Sequence, residues 1–297
     1  MTFREGHRRL AEELMSLYEK AEAFKIADLV FEKITGSGKK EFVLISDSGI
    51  PETHLQTLEK YKSELLQHRP VQYVLNEAWF HGRKFFVDER VLIPRPETDE
   101  LAEWVMQEVN NRQRATVNAE SEIRNLQILD IGTGSGCIPV SIKKRFAQLS
   151  VTGIDVCSEA LYVAAENAAT HETDIELMLI DFLNKEEWNK LGIFDIVVSN
   201  PPYVPQKEKS SMAPNVLNYE PHKALFVPDN DALLFYEAIA QFGKEHLSAG
   251  GSIFAEIHET LANNVDRLFR SHGYTFTEIR KDMQGKERMI KVRKEAQ

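Results

Sequence analysis

Apolar residues recur along the chain with two periods, and the change of period divides it. Leu10, Leu14, Leu17, Ala21 and Phe24 fall at intervals of three and four and predict one helical stripe. Ile26, Leu29, Val30 and Ile34 predict a second, stopped by Gly36 and Gly38. Pro51 marks a helix start, followed by Leu55, Leu58, Leu65 and Leu66, so residues 1–70 read as a small helical bundle. From 71 to 93 the period shortens. Val71, Tyr73 and Leu75 alternate, as do Phe85, Val87, Val91 and Ile93, which predicts extended segments and a β-hairpin bridging two domains. Residues 94–297 open with a helix whose apolar face is Leu101, Trp104, Val105 and Val109. Strand-like runs at Leu126–Ile131, Val151–Asp155, Ile175–Ile180, Phe194–Ser199 and Ile253–Ile257 then alternate with helical runs over about 138–146, 158–169, 232–247 and 261–272. Such alternation makes an α/β fold with a mostly parallel sheet covered on both faces. Tyr274–Ile279 and Arg288–Val292 have no helix between them and must be antiparallel neighbours. Residues 110–125 and 204–220 are polar and read as surface loops, the second mobile.

The polar punctuation carries the chemistry. The run Phe194-Asp195-Ile196-Val197-Val198-Ser199 stops at Asn200-Pro201-Pro202-Tyr203. Two prolines end the ladder, and a residue before proline is held extended, so Asn200 is aimed by stiff backbone. In open α/β sheets ligands bind at the carboxyl ends of strands. A second such end is Asp130-Ile131-Gly132-Thr133-Gly134-Ser135-Gly136, with a strand before it and a helix after it. Its glycines allow a sharp turn and close approach to a ligand, and Asp155 at the next strand end suits ribose hydroxyls. Asp181 and Phe182 close a third strand, where Phe182 is either an adenine neighbour or a core ring. The spacing Gly-x-Gly-x-Gly departs from the dinucleotide fingerprint, and no phosphate-binding Gly-Lys-Ser/Thr is present.

Charge and cysteine content narrow the setting. A formal net charge of −10 over 297 residues argues against broad nucleic-acid binding. Two cysteines, Cys137 and Cys157, fit a reducing compartment. With no signal-like start and no apolar run of membrane-spanning length, a cytoplasmic protein is expected.

Taken together, Ile93-Pro94-Arg95-Pro96-Glu97-Thr98, the glycine turn, Gly153-Ile154-Asp155, Asn200-Pro201-Pro202-Tyr203 and Asp282-Met283-Gln284-Gly285-Lys286-Glu287-Arg288 resemble the PrmC/HemK release-factor glutamine methyltransferases. Asn76 stands where that family usually has glycine, and His258 follows Ile257 where it usually has Ile-Gly. The resemblance implies a seven-stranded class I methyltransferase (Rossmann-like) sheet, with an antiparallel last strand, over 94–297. It also implies a linker hairpin at 71–93 and a release-factor docking bundle at 1–70. It implies S-adenosylmethionine as donor, S-adenosylhomocysteine as product and no metal. The implied acceptor is the glutamine amide of the Gly-Gly-Gln loop of class I peptide-chain release factors, so the process served is translation termination. Asp130, Gly132, Thr133, Gly134, Ser135, Gly136, Asp155, Asp181, Phe182 and Asn200 would then face the donor. Arg95 and Glu97 would face the acceptor, and Asn200, Pro201, Pro202 and Tyr203 would grip the reacting amide. Because the same four residues could grip an exocyclic amine, an adenine-N6 methyltransferase acting on DNA or RNA is the alternative. Neither a nucleic-acid substrate nor a membrane is expected.

Overall fold

A computed structural model describes residues 1–115 and 126–295. Its chain forms two compact units, Met1–Glu77 with Ala213–Tyr219, and Ala78–Met212 with Glu220–Gln297. Among the described residues no helix is long and apolar enough to cross a membrane.

In the first unit the helices are α1 (Phe3–Leu14), α2 (Lys20–Thr35), α3 (Lys39–Ile45), α4 (Glu52–Leu65) and α5 (Val71–Leu75). Thr2 and Glu5 form a reciprocal capping box at the start of α1. The first apolar stripe is shared between two helices, because α1 stops at Leu14 and a turn intervenes before α2. Gly36, in the left-handed conformation, closes α2. Leu10, Leu14, Val30, Phe31 and Leu65 are among the buried centre. Val71–Leu75 is a helix, contrary to the extended reading of its alternation. Pro70 precedes its first turn, and Asn76 ends it at φ 51°. That left-handed angle explains a glycine preference there, and asparagine tolerates it better than most residues.

The second unit begins with the hairpin β1 (Ala78–Phe80) and β2 (Arg83–Phe85); residues 86–93 are not strand. α6 (Pro96–Ala115) runs on through the first part of the predicted 110–125 loop, and 116–125 lie outside the described residues. A seven-stranded sheet follows: β3 (Gln127–Ile131), β4 (Ser150–Asp155), β5 (Glu176–Leu179), β6 (Phe194–Ser199), β9 (Leu247–Glu256), β10 (Phe276–Lys281) and β11 (Glu287–Arg293). The spatial order is β10-β11-β9-β6-β3-β4-β5, with β11 antiparallel to both neighbours and the other pairs parallel. This is the expected sheet with its reversed last strand. The helices α7 (Cys137–Arg145), α8 (Ser158–Thr170), α10 (Leu234–His246) and α11 (Ala262–Ser271) connect it. α10 gives way directly to β9 at Leu247. Gly250 and Gly251 lie inside that strand.

The 204–220 stretch, expected as loop, carries short regular elements. Val204–Pro205 (β7) pairs with Phe226–Val227 (β8), Gln206–Ser211 is a 3-10 turn, and Pro214–Tyr219 is α9, which groups with the first unit. Two ties fix α6 within this unit. His81 donates its backbone N–H to Asp99 Oδ2 at 2.9 Å, and its Nδ1 lies 2.7 Å from Oδ1, joining the hairpin to the first turn of α6. Farther along α6, buried Glu108 meets buried Lys291 of β11 at 2.6 Å. Burial opposes ionisation of Glu108, but Lys291 and Arg112 outweigh it and hold its carboxyl below the usual range.

Removing one partner of that pair strands a buried charge. Glu108→Ala is expected to lower unfolding stability by about 3–5 kcal/mol, and the Glu108→Ala/Lys291→Met double variant by clearly less, in urea titration.

Candidate active site

Three neighbouring strands end side by side, which collects the sequence motifs. Ile131 of β3 pairs with Ser199 of β6, and Ser199 pairs with Ala255 of β9. Ser199 Oγ donates to the Ile131 carbonyl at 2.8 Å, fixing the glycine turn beside Asn200. Glu256 ends β9 on the other side.

The glycine turn needs glycine for two reasons. Gly132, Gly134 and Gly136 all have φ between 52° and 76°, the left-handed region. A Cβ on Gly132 or Gly134 would meet nothing within 4 Å, which leaves room for a ligand, whereas one on Gly136 would lie 3.1 Å from Ala164 Cβ of α8. Asp155 is half-buried and accepts from Gly134 N–H and Cys157 N–H, each at 2.9 Å. Burial raises its pKa and these backbone donors oppose the rise. A carboxylate has about four lone-pair directions, so two remain for hydroxyl donors. Buried Asn167 donates to the carbonyls of Ser135 and Phe86 at 2.9 Å and accepts from Phe86 N–H at 2.7 Å, clamping turn to hairpin.

Asp130 is wholly buried, and neither of its oxygens has a hydrogen-bond partner among the described residues; nor has the buried Thr133 hydroxyl. Burial pushes the Asp130 carboxyl up to about 7, Asp155 adds to the rise, and Thr133 lies close enough to oppose it without forming an aligned bond. Buried polar groups left unpaired are costly. A group bearing an ammonium and hydroxyls, as S-adenosylmethionine does, fits this turn: open space over Gly132 and Gly134, an orphaned carboxylate, and acceptor capacity on Asp155.

Both prolines of the second motif follow trans bonds. Asn200 Nδ2 donates to Thr98 Oγ1 at 2.9 Å, Thr98 Oγ1 donates to Glu256 Oε2 at 2.7 Å, and Tyr203 donates its hydroxyl to Glu256 Oε1 at 2.7 Å. Burial and the adjacent Glu256 hold the Tyr203 phenol well above its ordinary value, so it stays neutral. His258 meets the Tyr203 ring edge-on at 6.0 Å.

Other expected site residues sit differently. Arg95 donates to buried Glu220 at 2.5 Å, and Glu220 also accepts from Ile93 N–H, so Arg95 braces the chain as it returns at Glu220. Glu97 accepts from the Gln284 side chain at 3.3 Å, which brings the Asp282–Arg288 turn to the start of α6. Asp181 is exposed, and the Phe182 ring is buried against Trp188 and Phe242, a core position. The sequence reading missed Thr98, Asn167 and Glu256 as site groups. Thr98 closes the Pro-Arg-Pro-Glu-Thr motif and Glu256 is an acid at a strand end, and both were legible signals.

A family model described as Methyltransferase small domain matches residues 113–225. The chain is 40% identical over 280 residues to a release factor glutamine methyltransferase of Flavobacterium psychrophilum, covering 94% of each chain. It is 34% identical to a protein of the same name from Bacteroides thetaiotaomicron, covering 95% of this chain and 96% of that one. For a third, from Streptococcus pneumoniae, the values are 36%, 95% and 91%. The catalytic domain of hMettl16, solved with an RNA hairpin, superimposes with a TM-score of 0.53 at 12% identity over 83% of this chain and 82% of that one. A human methyltransferase 10 domain containing protein gives 0.50 at 14%, over 73% and 90%. At these identities the two structures speak for the fold alone.

The unpaired Asp130 ionises near 7 when folded and near 3.8 when unfolded, so the folded state holds the extra proton between those values and stability falls as pH rises from about 4 to 7. Asp130→Asn is expected to lack this loss. Its stability relative to the parent should improve by about 4 kcal/mol between pH 4 and pH 8 in thermal or urea unfolding across pH.

Proposed function

The chain belongs to the family of release factor glutamine methyltransferases, and on that premise we propose that it methylates the side-chain amide nitrogen of the Gly-Gly-Gln glutamine in class I peptide-chain release factors. The observation that carries the reading is the orientation of Asn200, whose Nδ2 is committed to Thr98, so that its Oδ1 is left to accept from an incoming N–H. S-adenosylmethionine, when bound, would supply an electrophilic methyl group to the amide nitrogen and be left as the thioether S-adenosylhomocysteine.

The protein's own residues do the rest. An amide nitrogen is a weak nucleophile because its lone pair is delocalised into the carbonyl. Asn200 Oδ1 and the Pro201 carbonyl each accept one of its two N–H groups. That fixes the direction of the lone pair and favours the positive charge that develops on nitrogen. The Tyr203 ring walls the amide plane. Tyr203 stays protonated on Glu256, so the proton shed by nitrogen passes to solvent and not to the phenol. Asp155 takes the donor's ribose hydroxyls, the glycine turn its methionine portion, and Asp130 with Thr133 its ammonium. The helical unit docks the release factor, and α3 offers exposed Val43 (66%) and Leu44 (84%) for that contact.

With labelled S-adenosylmethionine, transfer to an intact release factor is expected. It should vanish on a Gln→Ala loop variant and fall about 100- to 1,000-fold with Asn200→Ala. Label on DNA or RNA in place of the release factor would move the assignment to adenine-N6 methylation. Leu44→Asp is expected to raise the KM for the release factor about tenfold while the dissociation constant for S-adenosylhomocysteine, by calorimetry, stays put.

A further inference from the structure

We propose that Thr98 and the buried Glu256 are positioning residues that select which end of the Asn200 carboxamide faces the acceptor, a role that rests on the amide-methylation reading above. The oxygen and nitrogen of a carboxamide have nearly the same shape, so packing alone does not choose between the two orientations. Hydrogen-bond direction does. An ionised carboxylate only accepts, and each Glu256 oxygen takes one hydroxyl proton, from Thr98 and from Tyr203, both at 2.7 Å. Thr98 has a single proton and gives it to Glu256, so toward Asn200 its oxygen can only accept. It accepts from Nδ2 at 2.9 Å, which turns Oδ1 the other way. The flipped amide would set Oδ1 against Thr98 Oγ1, two acceptors with no proton between them, and would aim an N–H donor at the donor N–H groups of the acceptor amide.

The surroundings act on Glu256 in both directions, and burial, the largest influence, leaves its pKa raised. It is wholly buried, and burial raises its pKa, but Thr98, Tyr203 and Arg288 all oppose the rise. Arg288 comes from β11, whose backbone carbonyl accepts from Ile257 N–H at 2.8 Å. Asp282 and Glu259 hold its guanidinium at 3.3 and 3.2 Å. Glu97 of α6 is the opposing like charge, and Tyr236 of α10 donates to the Glu256 main-chain carbonyl at 3.0 Å. The Asp282–Arg288 motif thereby acts at a distance: it fixes the cation that opposes the burial-driven rise of the Glu256 pKa.

Thr98→Val, Thr98→Ser and Glu256→Gln separate this role from a merely structural one. In single-turnover transfer to a release factor, Thr98→Val is expected to lower the rate about 100-fold, with KM for the acceptor and affinity for S-adenosylhomocysteine changing far less. Thr98→Ser, which keeps the hydroxyl, should recover to within a few-fold. A second readout needs no acceptor. In protein labelled with 15N-asparagine, the carboxamide pair that disappears in Asn200→Ala should exchange with water about tenfold faster in Thr98→Val and in Glu256→Gln than in the parent. Thr98→Ser should exchange as the parent does. Valine and serine variants that are equally impaired, or carboxamide exchange that is the same in all, would overturn the relay. Were the parent protein to transfer nothing to a release factor, the methylation reading would fall, and the exchange measurement would still decide whether Thr98 and Glu256 orient Asn200.

Discussion

The site depends on one hydroxyl. Ser199, wholly buried at the end of β6, donates across to the Ile131 carbonyl at the end of β3. Parallel pairing already sets these strands in register, but strand ends splay and the next residue on each is the start of a functional loop. The Ser199 bond closes that gap, so the glycine turn and the Asn-Pro-Pro-Tyr loop leave the sheet from a common edge. On the far side β9 adds Glu256, and α6 lays Thr98 across it. Four stretches far apart in sequence are joined through hydrogen bonds that each have a defined direction.

Two buried carboxylates give that edge opposite electrostatic characters. Glu256 accepts a hydroxyl on each of its oxygens, so its hydrogen-bonding capacity is met within the fold. Asp130 has no partner on either oxygen and sits near neutrality of its titration at physiological pH. One is finished structure and the other is unmet demand. A protein that tolerates the second must recover the cost elsewhere, and a cationic ligand is the natural source.

Much of this was legible from residue order. Strand–turn–helix periodicity gave the sheet, and the missing helix before β11 gave its reversed last strand. The two loop motifs announced themselves because glycine and proline have few alternative uses. What escaped had physical reasons. A stretch as short as Val71–Leu75 satisfies both an alternating and a helical pattern, and the flanking Pro70 and left-handed Asn76 decide it. The polar composition of 204–220 read as loop because its regular structure involves β7 pairing with β8 and α9 grouping with the helical unit, neither of which is local. Phe182 could not be placed until Trp188 and Phe242 were seen beside it. Asn167 looks like an ordinary helix residue until the third dimension supplies its partners.

The route of the chain through its two units has a bearing on evolution and engineering. It passes from one to the other at Glu77/Ala78, goes back at Met212/Ala213, and returns at Tyr219/Glu220, where the Arg95–Glu220 pair receives it. A body held by one linker can be cut off, swapped or inherited as a cassette. This one is stitched through, with its second and third threads drawn from the chain just beyond Tyr203. Exchange of the helical unit as a whole would therefore have to replace Ala213–Tyr219 as well, a segment that follows closely on the Asn-Pro-Pro-Tyr loop.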